Sequence, residues 1–297
     1  MLPEPPISIC HFFQAQSHYV WDRIGFARRM NVSVRETTIT EELLYHFYQS
    51  FEAFNIPIRL FESKEEHRNG SDLEVLVNTG RGFILFACQA KITYKTGSYR
   101  KFHHEVGGAR QIDLLLDYAA RHGGIAQYML YNFVPDWMVS APLEHGKIAE
   151  DMGITHISAS EIIDWMNSFI CMGKKPVVPH YNTFHPGTAK PFHELICSLL
   201  TDNSAYLRML PKEVSSGLTF YDENEVSDAD TWRRISSLAT IGYVDQQNVY
   251  AAQKEATDLV FSNGQKSKEP PSPPIFKPKF RLVIGGQDSG GAMYRIE

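Results

Sequence analysis

Residues 70–92 read Gly70-Ser71-Asp72-Leu73-Glu74-Val75-Leu76-Val77-Asn78-Thr79-Gly80-Arg81-Gly82-Phe83-Ile84-Leu85-Phe86-Ala87-Cys88-Gln89-Ala90-Lys91-Ile92. Asp72 to Val77 is a strand-like run with acids at alternate positions, and Phe83 to Ile92 is a longer apolar run. Between them, Asn78-Thr79-Gly80-Arg81-Gly82 is a turn signal, so the stretch predicts a β-hairpin. Side chains alternate on a strand, so Asp72 shares a face with Glu74, and Gln89 shares one with Lys91. Asp72 lies eight residues before Gly80 and Gln89 nine after it. Antiparallel pairing therefore sets them almost opposite each other, with Lys91 beside them at the open end. An acid and a lysine are costly to place inside an apolar hairpin without a purpose.

Working outward, residues 9–30 predict a helix with aromatic anchors. A second helix is expected with Thr40 as its N-cap, Glu41 and Glu42 in its first turn, and Leu43, Leu44, Phe47 and Phe51 as its apolar stripe, ending near Asn55. Glu41 borders that stripe and Glu42 points away from it. Ile56 to Phe61 is a strand candidate. After the hairpin come a helix over Gly108 to Arg121, stopped by Gly123-Gly124, and a strand over Gln127 to Phe133. The order helix, strand, hairpin, helix, strand predicts an α/β sandwich.

Phosphodiester hydrolysis needs a divalent ion on carboxylates, an activated water and a cation near the developing negative charge. Magnesium takes hard oxygen ligands, usually one or two carboxylates plus waters and phosphate. The hairpin brings residues of these types to one place.

The run Gly70 to Glu74, the hairpin, and Cys88-Gln89-Ala90-Lys91-Ile92 resemble the D…QxK variant of the PD-(D/E)XK nuclease superfamily, as in Mrr-like restriction endonucleases. Glu36-Thr37-Thr38-Ile39-Thr40-Glu41, Glu66 four residues before Gly70, Gln89-Ala90-Lys91 and Gln111-Ile112-Asp113-Leu114-Leu115 together resemble an uncharacterised bacterial domain with the same signature. The resemblance spans residues 36 to 135. It implies a restriction-endonuclease-like core, with a central mixed sheet flanked by helices. It also implies a metal-dependent nuclease, acting on DNA rather than RNA, in bacterial restriction or phage defence.

On that reading Asp72 holds Mg2+ or Mn2+, and Glu41 or Glu74 is the second acid. Glu36 and Glu66 are further candidates for that acid, and the Ala90 carbonyl is a further metal ligand. Lys91 orients water or stabilises the phosphate, Gln89 positions water or ligates weakly, and Gln111 assists from the following helix. Gln89 departs from the usual acid of the superfamily, which keeps open a catalytically inactive module that binds nucleic acid or a protein. A third alternative is an unrelated α/β protein with a coincidental signature.

Lys95, Arg100, Lys101, His103, His104 and Arg110, interleaved with Tyr94, Tyr99 and Phe102, can line a phosphate groove or form a solvated loop. His180, His185 and His193 lack zinc-motif spacing and are expected in core or surface roles.

The 297 residues carry a net charge of -5, with 43% hydrophobic and 21% charged residues. That composition excludes a broadly basic nucleic-acid coat but not a local basic groove. Cys10, Cys88, Cys171 and Cys197 form no CxxC pair, and scattered unpaired cysteines suit a reducing cytoplasm. The N-terminus lacks the pattern of a signal peptide, and no apolar run approaches roughly 18 residues, so a cytoplasmic chain without a membrane partner is expected. A homo-oligomer or a defence-system partner protein is compatible with this.

The expected organisation is a nuclease core over 1–135, a mainly helical extension over 136–263 packed on the core, and a Pro/Lys-rich linker with a terminal strand over 264–297. Helices are expected at Ala159 to Met166 after a Ser160 cap, at His193 to Leu200 and at Thr231 to Ala239, and a strand at Phe280 to Ile284. Trp137, Trp165 and Trp232 are the expected anchors of the extension.

Overall fold

A computed structural model describes residues 8–54, 56–64, 72–100, 102, 104–106, 108–139, 143, 146–174, 177–201, 206–208, 210, 212–235 and 275–286. Helices α1 (Ile9–Arg29) and α2 (Glu36–Phe54) come first, then strands β1 (Ile58–Ser63), β2 (Asp72–Asn78) and β3 (Phe83–Ile92). A two-strand clip, β4 (Glu105–Val106) and β5 (Ala109–Arg110), leads into α3 (Gln111–Arg121) and β6 (Ile125–Tyr131). Next are β7 (Ile154–Ser158), α4 (Ala159–Cys171), α5 (Tyr181–Phe184), β8 (Lys190–Pro191) and α6 (Phe192–Thr201). The last described elements are α7 (Lys212–Gly217), β9 (Phe220–Tyr221), α8 (Glu223–Val226), β10 (Trp232–Arg234) and β11 (Phe280–Ile284).

The architecture is α/β, with a mixed central sheet flanked by helices. The strands run β10-β1-β11-β2-β3-β6-β7-β8, and β9 adds onto the start of β3. β2 and β3 are antiparallel, while β11 joins β2 and β6 joins β3 in parallel. One face of the sheet, with Val75, Val77, Ile84, Phe86, Cys88, Ala90 and Ile92, packs on α1, α2 and α6. The opposite face, with Ala87, Ala126, Tyr128 and Leu130, packs on α3 and α4. All ten residues of β3 are buried, as expected of a strand covered on both faces.

The hairpin forms as the sequence predicts. Thr79 N–H donates to the Gly82 carbonyl at 3.0 Å, and Gly80 and Gly82 take positive φ values of 76° and 132°. Those values favour glycine, which has no Cβ to clash.

Several expectations change. α2 starts a turn earlier than a Thr40 cap allows. Thr40 is buried within it, donating to the Glu36 carbonyl at 3.0 Å and sharing a 2.9 Å hydrogen bond with the Tyr131 hydroxyl. Ser158, not Ser160, caps α4. The segment expected as a helix from Thr231 begins instead with β10, because Trp232 and its neighbours find an open edge on β1; residues 236–239 lie outside the described part. The boundary at residue 135 is no break in the sheet, since β6 pairs along its length with β7. The described part of the extension is mainly helical, as expected, but it also contributes β7, β8, β9 and β10 to that sheet.

Trp232 is buried and Trp165 packs on the α3–α4 core, but Trp137 is 78% exposed. Residues 264–274 of the proline-rich stretch lie outside the described part. Phe276, just after them, is buried with its ring 5.1 Å from that of Tyr118. Cys10 of α1 and Cys197 of α6 form a disulfide with Cα atoms 5.5 Å apart, correcting the expectation of four unpaired cysteines; Cys88 and Cys171 are free thiols. Among the described residues no helix is long and apolar enough to cross a membrane.

Candidate active site at the open end of the hairpin

Asp72 pairs with Gln89 in the β2–β3 register. This cross-strand pair is the last of the ladder at the open end, and β3 continues past it along β6, with Ala90 opposite Met129 and Lys91 opposite Leu130. Cys88, Ala90 and Ile92 belong to the core on the α1–α2 side, so alternation turns Gln89 and Lys91 toward α3. Both are buried, Lys91 at 5% exposure. The Lys91 ammonium donates to Gln111 Oε1 at 3.0 Å and lies 6.0 Å from the centre of the Tyr128 ring. Gln111 is the first residue of α3, and its backbone N–H is held by the His104 carbonyl at 2.9 Å. The clip thus sets the helix start where its first side chain meets the hairpin lysine.

Glu74 is on this face but is engaged elsewhere. Its Oε2 accepts from Arg281 Nε at 2.6 Å, and its Oε1 accepts from the Tyr118 hydroxyl. Arg281 also donates to the Val226 carbonyl at 2.8 Å and stacks 4.2 Å from the Trp232 ring. Burial pushes the Tyr118 phenol far up, and the Glu74 carboxylate adds to the shift, so Tyr118 remains a donor. A carboxylate neutralised this way is a poor partner for a metal ion, since Arg281 already occupies the place of the counter-cation.

Glu41 is exposed and lies 3.7 Å from Lys279 Nζ. Phe280 pairs with Leu73, so Lys279 and Asp72 are the next residues outward, and Glu41 sits at the same end of the sheet. Glu42 is the acid that turns inward: Arg23 of α1 binds it at 2.9 Å, because α1 broadens the covered side of α2. Glu36 begins α2, one turn before Thr40 and its bond to Tyr131. Glu66 and Lys101 lie outside the described residues, as does His103.

The basic residues divide. Arg110 spends its charge on Asp113, with two contacts of 2.6 Å. Lys95 donates to the Asn31 side chain, and Arg100 lies 4.5 Å over the Tyr94 ring. His185 is a core residue: its Nε2 is 2.9 Å from Thr155 Oγ1, and burial lowers its pKa to about 4. Among the described residues no group of three or more His, Cys, Asp or Glu side chains converges.

A family profile described as a family of unknown function, DUF6615, matches residues 9–268. The chain belongs to this family. The match runs from α1 through β10 and stops before β11, so within this DUF6615 chain the partner of Glu74 comes from beyond the matched region. No curated protein and no solved structure matches the chain.

Sequence reasoning missed Arg281, Tyr118 and Thr40 as partners. Arg281 had a signal, being the single charge in the otherwise apolar Phe280–Ile284 run. A lone charge in a buried strand implies a buried counter-charge.

Proposed function

We propose that this DUF6615 chain is a metal-dependent nuclease of PD-(D/E)XK type that hydrolyses nucleic acid, DNA rather than RNA. The observation that carries the reading is the Asp72–Gln89 register with Lys91 reaching Gln111 at the start of α3. The donors at this end are oxygens, the class that magnesium or manganese prefers. Asp72, the Ala90 carbonyl and a carboxylate from the start of α2, Glu41 or Glu36, would hold the ion. Glu74 is not among them, because Arg281 neutralises it.

Bound there, the ion would supply Lewis-acid polarisation of the phosphate and a more acidic water. The chain's own groups do the rest. Lys91 brings a positive charge toward the scissile phosphate, where charge builds up as the bond breaks. Gln111 accepts from that ammonium and fixes its direction. Gln89 offers an amide that can orient the attacking water. Lys95 and Arg100, on the loop that leaves β3, supply contacts to flanking phosphates.

The test is incubation with plasmid, linear and single-stranded DNA and with RNA, in magnesium or manganese and in chelator. Chelator-insensitive cleavage, or a fully active Asp72→Asn protein, would reject the assignment.

Gln89 in place of an acid, together with the engagement of Glu74, favours a second reading. In it the chain keeps the fold and binds nucleic acid or a partner protein without turnover. Metal-dependent cleavage by clean wild-type protein removes that reading.

The role that goes with an active site is a bacterial cytoplasmic effector in restriction or phage defence, acting alone, as a homo-oligomer or with a defence-system partner. In such a compartment the Cys10–Cys197 pair would be held reduced. The α1–α6 contact would then rest on packing such as Phe13 against Phe192, whose ring centres are 6.0 Å apart. Equal phage protection by wild type and Lys91→Ala in a challenge assay would break the link between nuclease and defence.

A further inference from the structure

A cleft of about 330 Å³ opens between the end of α1 and the loop that leaves β3. Its floor is apolar, from Ile24 and Ile92, and its walls carry Arg28, Lys95 and Arg100. Among the described residues no aspartate or glutamate lines it. Arg28 reaches only neutral acceptors there: the Phe133 carbonyl at 2.6 Å, the Thr93 carbonyl, and Thr93 Oγ1 at 2.9 Å. Burial pulls its pKa down to about 10, which still leaves it charged at neutral pH. Arg100 stacks on Tyr94, and Lys95 meets the amide of Asn31. Among the described residues, therefore, these three cations face one cleft with no carboxylate in its lining. A desolvated cation in that state favours an anion.

The apolar floor and the guanidinium–aromatic stack narrow the choice of anion. A base can lie on a flat apolar or stacked surface while its phosphate meets the cations. The volume falls at the lower end of small-molecule sites, about 300–1,000 Å³. We propose that this cleft binds a nucleoside phosphate, through Arg28, Lys95 and Arg100 on the phosphate and the Tyr94–Arg100 stack beside the base. The ligand is either the phosphorylated end of a nucleic-acid strand or a free nucleotide. Ile92, on the cleft floor, follows Lys91 directly but faces the opposite side of β3, so a strand end held here reaches the candidate active site only by passing round the end of the sheet. Only that strand-end case rests on the nuclease reading.

Fluorescence anisotropy on the full chain in EDTA tests it. The probe is a short 3′-fluorescein single-stranded DNA with a 5′-phosphate, and AMP and inorganic phosphate are the competitors; AMP binding is also followed by calorimetry. The test variant is Lys95→Ala with Arg100→Ala, both exposed positions, with folding checked by circular dichroism. A loss of at least about tenfold in affinity supports the proposal, as two charge-assisted contacts disappear. Loss on the strand with weak AMP competition assigns a strand end; loss on AMP assigns a free nucleotide. The proposal falls if neither probe binds, if the double variant binds as wild type does, or if inorganic phosphate competes as well as AMP. Cleavage with metal is scored separately on wild type, so the binding proposal and the nuclease reading can fail independently.

Discussion

Arg281 Nε lies 2.6 Å from Glu74 Oε2, and the two residues come from parallel neighbouring strands directly in register. Their side chains are 11% and 1% exposed. Removing one partner strands a buried charge, which typically costs about 3–5 kcal/mol. Arg281→Ala is therefore expected to lower the urea midpoint sharply. Glu74→Gln in the same background should recover part of the loss, since a neutral amide needs no counter-ion. No recovery in the double variant would show that the cost lies in lost packing against Trp232 rather than in charge.

Asp72→Asn and Lys91→Met are expected to abolish metal-dependent cleavage, by roughly 10²-fold or more, the scale on which a lost charge-stabilising group acts. Gln111→Ala should cost less, because it leaves the lysine present but less well directed. The measurement is the initial rate of plasmid nicking at saturating metal, with folding followed by circular dichroism. A Lys91→Met protein that is folded and cuts at the wild-type rate removes Lys91 from the chemistry.

His185 makes stability fall with acid. Its folded pKa is depressed to about 4, below the ordinary value of 6.5, because burial disfavours the charged ring. The neutral form is the one that folds, so its contribution is complete above pH 6.5. That contribution is lost progressively as the unfolded chain takes up the proton between 6.5 and about 4. The full loss amounts to about 3 kcal/mol. Chemical denaturation from pH 7 to pH 4.5 should show this slope, and His185→Gln should make it less steep, the remainder coming from His156, whose pKa is also lowered to about 4. Parallel curves for the two proteins would rule out His185 as the source.

Gly153 is where α1 touches backbone. A Cβ there would lie 1.8 Å from the Ser17 carbonyl oxygen, an atom that cannot swing away. Gly153→Ala should therefore cost about 1–3 kcal/mol or more, as overpacking does. A thermal melt checks this, and an unchanged midpoint would mean that α1 can shift off β7 without loss.

The hairpin was legible because its signals are local. Alternation, a glycine-rich turn and a continuous apolar run fixed β2, β3 and the Asp72–Gln89 register together. Gln111 was legible as a candidate from its motif, but its contact with Lys91 depends on how the clip before α3 closes. The role of Glu74 was not legible. Its partner lies 207 residues away and reaches it by inserting β11 between β1 and β2, a parallel pairing with no nearby turn to announce it. Thr40 was misread because a threonine beside two glutamates is also a good helix cap. The bond to Tyr131 that keeps it inside the helix is a tertiary contact. Trp232 was read as a helical anchor, and the open edge of β1 made it a strand residue instead.

The insertion of β11 also orders events on the ribosome. β1 and β2 leave the exit tunnel early, yet in the sheet they are separated by the strand at residues 280–284. Until that strand has been translated and released, Glu74 has no guanidinium to meet and the Asp72 side of the hairpin has an unpaired edge. Any nascent polypeptide stalled or degraded before residue 284 would carry the hairpin without its neighbour. The complete sheet around the candidate site is thus formed only by chains synthesised through that strand.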